Sequence, residues 1–348
     1  MIRILVTDDM QISYEILKMI LEEESDLEVI GWARDGQQAV KMASELKPDL
    51  ITMDMEMPNM NGLEATNIIM STQPVPIVVV SSHVKNEEMN LVFKALEAGA
   101  LAVIEKPVAV PQHPDYQRLK NNLLENIRSM SDVRLVRRRT ATKPSIKDDY
   151  DKNLEIRVGE YELVAIGSSA GGPEAIHCIL SLLPVSFPLP ILLTQHITKG
   201  FTKGMVKWLD GESELKVKEA EDGEVFRKGT VYFAPDDYHL LVERRNGELI
   251  AVLSDGDICD GFRPAVTIMM ESVAHICGDT TIGAILTGMG SDGAKGLLAM
   301  KQVGAYTFVQ DKQSALVYGM PSSALNLGAT KNIIPLEGIA KFLLKIAG

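Results

Sequence analysis

The chain has 348 residues, of which 46% are hydrophobic, and its formal net charge at pH 7 is −12. This length exceeds one ordinary hydrophobic core and predicts two domains, and the acidic balance argues against nucleic acid as a partner. No apolar run reaches the ~20 residues of a membrane span, so we expect no direct insertion into a membrane. The three cysteines lack metal-ligand spacing and the N-terminus lacks a secretory signal. We therefore expect a cytoplasmic protein with free thiols.

Five short apolar runs alternate with helical patterns over the first 128 residues. Apolar residues at helical spacing occupy, for example, residues 12–21 and Gly36–Leu46. Five strand–helix units predict a doubly wound α/β domain with a parallel sheet, in which sites form at the carboxyl ends of the strands. The five predicted strands are residues 2–6, 28–33, 50–53, 77–80 and 102–104.

Acidic residues gather at the ends of these predicted strands. Asp8 and Asp9 follow the first strand and Asp54 the third, while Ser81 and Lys106 follow the fourth and fifth. Three neighbouring carboxylates require a hard cation such as Mg²⁺, and Lys106 adds a second positive charge. In such a pocket Asp54 attacks a phosphoryl donor, and Ser81 hydrogen-bonds the new phosphoryl oxygens. Taken alone, Asp8 and Asp9 equally fit an acidic turn before a helix.

The second half of the chain repeats the alternation of strands and helices. We predict a mainly parallel, Rossmann-like sheet with one antiparallel excursion over residues 240–253, where Asn246 and Gly247 are a strong hairpin signal. The predicted strands are residues 163–166, 191–194, 230–233 and 282–286, and the predicted helices are residues 173–183, 263–277 and 294–303.

A serine-hydrolase pattern lies at the strand ends of this second domain. Residues 167–171 fit Gly-x-Ser-x-Gly between a strand and a helix, which exposes Ser169 beside the N–H groups of the helix N-terminus. His196 follows the next strand as a candidate base, and Asp292 follows a later strand as its orienting acid. Ordinary α/β-hydrolases have the order Ser, acid, His, so we expect a different hydrolase fold. Taken alone, the glycine-rich turn equally fits a phosphate cradle.

A second glycine motif leaves another alternative open. Residues 288–293 match Gly-x-Gly-x-x-Gly after a strand, and Asp311 lies near the offset expected for a ribose ligand, which together suggest a dinucleotide site. Against this interpretation, little chain remains after the motif for a dinucleotide fold. It also leaves Ser169 and His196 without a role.

Between the two domains lies a basic segment, residues 129–158. It has few apolar residues, so it cannot bury much surface, and we predict a linker. Its arginines indicate either a solvated linker or a strip that docks on an acidic domain face. These arginines are Arg134, Arg137, Arg138 and Arg139.

Residues 1–128 resemble the receiver domain of response regulators, which has a flavodoxin-like fold. The resemblance implies Mg²⁺-dependent phosphorylation of Asp54 by a histidine kinase, with Ser81 and Lys106 as switch residues. It implies metal ligands among Asp8, Asp9, Asp54 and the backbone carbonyl of Glu56. The chain departs from the family at Asn61, usually Asp, and at Val103, often aromatic. The motifs are Asp8-Asp9, Asp54 with Met57-Pro58 and Asn61-Gly62, Ser81-Ser82, Ala98-Gly99-Ala100 and Lys106-Pro107.

Residues 159–348 resemble the catalytic domain of chemotaxis protein-glutamate methylesterases. The resemblance implies Ser169, His196 and Asp292 as catalytic residues, backbone N–H groups near Ala170 and Met289 as oxyanion donors, and no cofactor for ester hydrolysis. It implies demethylation of glutamate γ-methyl esters and deamidation of glutamines on chemoreceptors, activated by phosphorylation. The family commonly has Thr at the position of Ala170. The motifs are residues 169–175, Gln195-His196, Phe262-Arg263-Pro264, residues 286–294 and Gln310-Asp311.

Two rival functions remain open on the sequence. One is a phosphorylation-dependent binding module that has kept this fold and lost catalysis. The other is a serine hydrolase that acts on a different ester. Turnover of an ester that depends on Ser169 separates the first rival from the enzyme, and comparison of receptor methyl esters with simple esters tests the second.

Overall fold

The computed structural model of this protein describes residues 1–81, 86–108, 110, 112–131, 133 and 158–348, without the side chains of residues 86–90. The chain forms two compact units, Met1–Lys143 and Pro144–Gly348. Most of the predicted basic linker, including its arginines, lies outside the described residues. The three residues 129–131 at its start are described, and they belong to a helix.

The first unit is a five-stranded parallel sheet with helices between its strands. The strand order is β2-β1-β3-β4-β5, which is the flavodoxin-like order, and all five predicted strands are present. Its elements are β1 (Ile2–Thr7), α1 (Gln11–Glu22), β2 (Leu27–Ala33), α2 (Gly36–Leu46), β3 (Leu50–Met53), α3 (Gly62–Thr72), β4 (Ile77–Ser81), α4 (Asn86–Glu97), β5 (Ala102–Glu105) and α5 (Tyr116–Ser131).

Burial and helix caps explain why these residues form these elements. Strands β1, β3 and β4 are buried over most of their length, as expected for central strands covered on both faces. The Asp35 side chain accepts a hydrogen bond from the Gln38 N–H and begins α2. Asn61 and Glu64 form a capping box that begins α3. The Asn at position 61 is therefore an effective helix cap in this chain.

The second unit is built around a seven-stranded sheet in which every strand pair is parallel. The strand order is β14-β13-β12-β6-β7-β9-β8, so the chain order reverses direction at β6. In open α/β sheets, sites form at the carboxyl ends of strands at such a switch point. Its elements are β6 (Leu163–Ser168), α6 (Gly172–Leu180), β7 (Ile191–Gln195), α7 (Thr202–Glu212), β8 (Lys216–Glu219), β9 (Thr230–Phe233), β10 (His239–Arg245), β11 (Glu248–Ser254), α8 (Val266–Cys277), β12 (Thr281–Ile285), α9 (Ala294–Gln302), β13 (Tyr306–Gln310), α10 (Gly319–Asn326), β14 (Ile333–Ile334) and α11 (Leu336–Ala347).

The predicted antiparallel excursion is confirmed as a hairpin of β10 and β11. Asn246 and Gly247 both have positive φ, 52° and 84°, as a two-residue type I′ turn requires. The hairpin forms a separate two-stranded sheet, so it does not interrupt the parallel sheet. It packs on α8, where the Val242 N–H donates to Ser272 Oγ at 2.8 Å.

The structure adds elements that the sequence pattern did not indicate. Strands β8, β13 and β14 and helices α7, α10 and α11 complete the second unit. Helix α8 begins at Val266, three residues later than predicted, because the backbone of the preceding Ala265 is extended. Within the ranges given above, no helix is long and apolar enough to cross a membrane.

Candidate active sites

The predicted carboxylates meet at the carboxyl edge of the first sheet. Asp8 follows β1 and Asp54 follows β3, and both side chains are almost completely buried, whereas Asp9 is exposed. Carboxylate oxygens of the three residues lie within 4.8 Å of one another. The adjacent strands β1 and β3 are paired in register up to Thr7 and Met53. This register carries the two acidic positions to the same edge.

Lys106 reaches into the same pocket and bridges the two buried carboxylates. Its Nζ lies 2.7 Å from Asp54 Oδ2 and 2.8 Å from Asp8 Oδ2. The Lys106 N–H donates to the Ser81 carbonyl at 2.8 Å, which holds these two predicted switch residues side by side. The structure thus brings together all five residues that the sequence predicted to share this pocket, namely Asp8, Asp9, Asp54, Ser81 and Lys106.

Burial dominates the electrostatics of Asp54. Burial, with a smaller contribution from the nearby Asp8 carboxylate, raises the pKa of Asp54 to about 6 against the opposing attraction of Lys106. The charged Lys106 side chain is stabilised by the same carboxylates, and its pKa lies above the usual value despite burial. The pocket therefore holds more negative charge than Lys106 alone neutralises, and it favours an additional cation.

The donor set suits Mg²⁺. Asp8, Asp9 and Asp54 offer carboxylate oxygens, the ligands that this hard cation prefers, and Asp9 is open to solvent so that water can complete the coordination. Asp54 Oδ1 accepts a hydrogen bond from the Met55 N–H at 2.8 Å, and Asp8 Oδ1 accepts one from the Met10 N–H at 3.0 Å. These bonds orient both buried carboxylates. Glu56, whose carbonyl is the fourth predicted ligand, directly follows this turn.

We expect Asp54→Asn to stabilise the first domain at pH 7 by about 1–3 kcal/mol, measured by urea unfolding without divalent cations. The folded state holds the Asp54 proton more tightly than the unfolded chain. The free energy of unfolding therefore falls as the pH rises from ~4 to ~6, and the penalty is fully present at pH 7. The exposed Glu28→Gln makes the same chemical change as a control. Equal stability of Asp54→Asn and wild type at pH 7 would contradict the raised pKa of Asp54 in the folded state.

Trp32 supports this pocket, although no sequence motif indicated it. Its Nε1–H donates to the Asp8 carbonyl at 2.8 Å. The indole stacks on Tyr14 with 4.4 Å between the ring centroids, and the Arg34 guanidinium lies 4.3 Å from the indole centroid. Val103, where the receiver family often has an aromatic residue, lies in β5, partly buried.

In the second sheet, the three candidate catalytic residues follow three neighbouring strands. Ser169 follows the central strand β6, His196 follows β7 on one side, and Asp292 lies in the loop after β12 on the other side. Strands β6 and β7 are in register up to the pair of Ser168 and Gln195. Ser169 and His196 are therefore the next residues of two strands that lie about 4.8 Å apart.

His196 and Asp292 form a direct contact. His196 Nε2 lies 2.8 Å from Asp292 Oδ2, and both side chains are almost fully buried. The Asp292 carboxylate is an acceptor, so Nε2 carries the proton and Nδ1 carries the lone pair. Nδ1 is buried and has no hydrogen-bond partner among the described residues. The imidazole thus presents an unprotonated nitrogen, as a general base requires.

Backbone N–H groups hold the Asp292 carboxylate in place. Oδ2 also accepts from the Val266 N–H at 2.7 Å, and Oδ1 accepts from the N–H groups of Thr267 and Gly293 at 2.9 and 2.8 Å. Burial raises the pKa of Asp292, but the hydrogen bonds from His196 and Thr267 bring it below the usual value. Asp292 is therefore a fixed, ionised partner for His196.

Phe262 covers one face of the His196 ring. The two rings are parallel, with 3.7 Å between their centroids. A tight turn at Asp260 and Gly261, both with positive φ, joins Cys259 to Phe262 through paired backbone hydrogen bonds. Phe262 was part of the motif that carried the family resemblance, but only the structure indicates its contact with the base.

The loops around Ser169 bring the two predicted oxyanion positions close to it. The Ser169 N–H donates to the Thr287 carbonyl at 3.0 Å, and Thr287 Oγ1 donates to the Ala170 carbonyl at 2.8 Å. A Cβ on Gly288 would lie 2.8 Å from Ser169 Cβ, so the loop that carries Met289 passes directly beside the candidate nucleophile.

The second glycine motif is explained by packing between protein segments. A Cβ on Gly288 would meet Met320 Sδ at 2.2 Å, and one on Gly293 would meet Val266 Cγ1 at 2.6 Å. These glycines allow close approach of loops and helices. Asp311, the candidate ribose ligand, instead accepts a hydrogen bond from the Ser314 N–H. The arrangement favours the hydrolase interpretation over a dinucleotide site.

Comparisons with known proteins agree with this division into two domains. Residues 164–343 match the CheB methylesterase family model, and residues 4–116 match the response regulator receiver domain model. A protein-glutamate methylesterase/protein-glutamine glutaminase from Nitrosospira multiformis is 41% identical over 345 residues, which cover 99% of this chain and 96% of that protein. A relative of the same name from Thermotoga maritima is 39% identical over 353 residues, 99% of this chain and 98% of that protein.

A solved structure is similar to the second domain. The crystal structure of the Thermotoga maritima CheB methylesterase catalytic domain is 42% identical, covers 53% of this chain and 97% of its own, and has a TM-score of 0.52. The fold and the comparisons define a two-domain α/β response regulator, with an N-terminal receiver domain and a C-terminal methylesterase domain. The chain belongs to the CheB methylesterase family, and the resemblance found in the sequence is confirmed.

Proposed function

We propose that this protein is a phosphorylation-activated methylesterase that removes methyl groups from glutamate γ-methyl esters of chemoreceptors and deamidates their glutamines, which tunes chemotactic adaptation. The observation that carries the proposal is the buried pair of His196 and Asp292 next to Ser169, in a chain that matches methylesterase/glutaminases over nearly its whole length. The proposed domains are residues 1–128, a linker over 129–158, and residues 159–348. Three free cysteines agree with a cytoplasmic location.

Ser169 is the proposed nucleophile of the acylation step. Its Oγ attacks the ester carbonyl carbon while His196 Nδ1 takes the hydroxyl proton, and Asp292 stabilises the resulting imidazolium through Nε2. The backbone N–H groups near Ala170 and Met289 are the proposed donors to the oxyanion. Collapse of the tetrahedral intermediate breaks the bond to the methoxy oxygen, which leaves as methanol with the proton from His196.

Water completes the reaction on the acyl-enzyme. His196 Nδ1 takes a proton from the water as it attacks the acyl carbon. The bond to Ser169 Oγ then breaks, Oγ takes the proton from His196, and a glutamate side chain is left on the receptor. With glutamine as substrate the same steps release ammonia in place of methanol. Stacking of Phe262 on His196 shields one face of the base from solvent.

Asp54 is the proposed phosphorylation site, with a histidine kinase as the donor. An Asp54 carboxylate oxygen attacks phosphorus, and the bond between phosphorus and the donor breaks. Lys106, 2.7 Å from Asp54, and Ser81 then contact the phosphoryl oxygens. Asp8, Asp9, Asp54 and the Glu56 carbonyl are the proposed ligands of Mg²⁺, which when bound supplies positive charge beside the transferred group.

Methanol release from methylated receptor tests this function. We expect the wild-type rate to rise when a small phosphodonor and Mg²⁺ are added, because phosphorylation of Asp54 activates the esterase. Asp54→Ala removes the acceptor and is expected to keep only the basal rate under both conditions. A wild-type rate that does not change when the phosphodonor is added would support the esterase activity but contradict its activation by phosphorylation of Asp54. Absence of methanol under every condition would favour the binding module or a different ester.

A further inference from the structure

Gln195 connects the candidate nucleophile to the candidate base. It is the last residue of β7 and only 6% exposed, and its side chain lies under the loop that carries Ser169. Its amide nitrogen donates to the Ser169 carbonyl at 2.8 Å and to the His196 carbonyl at 2.7 Å. Both amide hydrogens are therefore used, one on the backbone of each of the two residues that must meet during acylation.

The orientation of this amide is determined by the two backbone carbonyls, and Ser168 completes its hydrogen bonds. The Ser168 hydroxyl, which is completely buried, donates to Gln195 Oε1 at 2.7 Å. Because a backbone carbonyl oxygen only accepts, the NH₂ group must face the Ser169 and His196 carbonyls, and Oε1 is left to accept from the Ser168 hydroxyl. This contact also commits the Ser168 hydroxyl to a structural bond, which distinguishes it from the neighbouring Ser169.

Close packing at Gly172 shows that the site is built around this amide. A Cβ at Gly172 would lie 1.9 Å from Gln195 Oε1 and 3.0 Å from Ser168 Cβ. The first residue of α6 therefore has no side chain because the Gln195 amide occupies that space. The Gly172 N–H also donates to the Ser169 carbonyl at 2.8 Å, so this oxygen accepts two bonds and is firmly placed.

We propose that Gln195 is a positioning residue for the esterase reaction, which ties the Ser169 and His196 backbones into one rigid unit and so sets the approach of Ser169 Oγ to His196 Nδ1. The inference rests on the proposed function and deepens it. Gln195 does not contact the reacting atoms. It acts through the two residues that do, because a displacement of about 1 Å between reacting groups costs about 10²-fold in rate.

The test is the steady-state kinetics of methanol release by the full-length protein with Gln195→Glu, an isosteric change. The introduced carboxylate still accepts from Ser168 but cannot donate to either carbonyl. We expect kcat to fall about 10²-fold with little change in KM, because the substrate contacts remain while the catalytic alignment is lost. Ser168→Ala keeps both amide donors and loses only the hydrogen bond to Oε1, so its kcat is expected to fall less.

Control variants distinguish a positioning role of Gln195 from the loss of any buried hydrogen bond and from failure of the proposed function. Thr307→Val removes a buried hydroxyl in β13 that donates to the Ala329 carbonyl, and we expect it to leave kcat near the wild-type value. A Gln195→Glu protein with wild-type kcat, or with a loss confined to KM, would overturn the positioning role. So would a larger kcat loss in Ser168→Ala than in Gln195→Glu. If wild type and Ser169→Ala release methanol equally, the proposed function itself fails, and that result is distinct from each of these.

Discussion

Ser169→Ala is expected to lower methanol release from methylated receptor by about 10⁴-fold or more, because it removes the atom that forms the acyl-enzyme. The substitution deletes one partly buried hydroxyl and leaves the backbone contacts of residue 169 intact, so the second domain keeps its fold. The measurement is the initial rate of methanol release, together with a thermal unfolding curve that confirms the fold. Exposed Ser181→Ala, at the end of α6, makes the same change away from the site.

This experiment also decides between two adjacent serines. Ser168 is completely buried and donates its hydroxyl hydrogen to Gln195 Oε1, whereas Ser169 is partly exposed beside Gly288. A nucleophile must be accessible to the substrate, so the geometry favours Ser169 as the nucleophile. A Ser169→Ala protein that keeps wild-type turnover would reject Ser169 as the nucleophile.

Asp292→Asn is expected to lower kcat by about 10⁴-fold and to destabilise the second domain by about 1–3 kcal/mol. In wild type both carboxylate oxygens accept hydrogen bonds, Oδ2 from His196 and Val266 and Oδ1 from Thr267 and Gly293. An amide has only one acceptor atom, so either orientation places an NH₂ group against N–H donors. If the NH₂ faces His196, it also favours the tautomer with the proton on Nδ1, and the base is lost.

The kinetic constants and the unfolding curve are measured on the same preparation of the Asp292→Asn protein. Exposed Glu337→Gln in α11 converts a carboxylate into an amide without a buried network, and we expect wild-type values for both quantities. A cooperatively folded Asp292→Asn protein with wild-type kcat would remove Asp292 from the catalytic set. Loss of stability without loss of kcat would make it a structural residue that only anchors α8 and α9.

Long, well-buried strands were the easiest elements to predict. The central strands of both sheets have continuous apolar runs, and several candidate residues directly follow a strand, as Asp54 follows β3 and His196 follows β7. The hairpin turn at Asn246 and Gly247 was equally clear, because few residues adopt two successive positive φ angles. Strand β14 has only two residues, which is too short for any periodicity, and edge strand β8 carries charged residues that conceal its role.

The sequence by itself determined the two-domain class, the family and the positions of the candidate residues at strand ends. These depend on local patterns, namely alternating strands and helices and short motifs. Only the tertiary structure decided that β12 and β7 flank β6, that Asp292 contacts Nε2 of His196, and that the Gln195 amide joins the two catalytic backbones. The physical reason is that these contacts join residues far apart in the chain. Strand pairing and side-chain orientation bring them together, and no local propensity encodes either one.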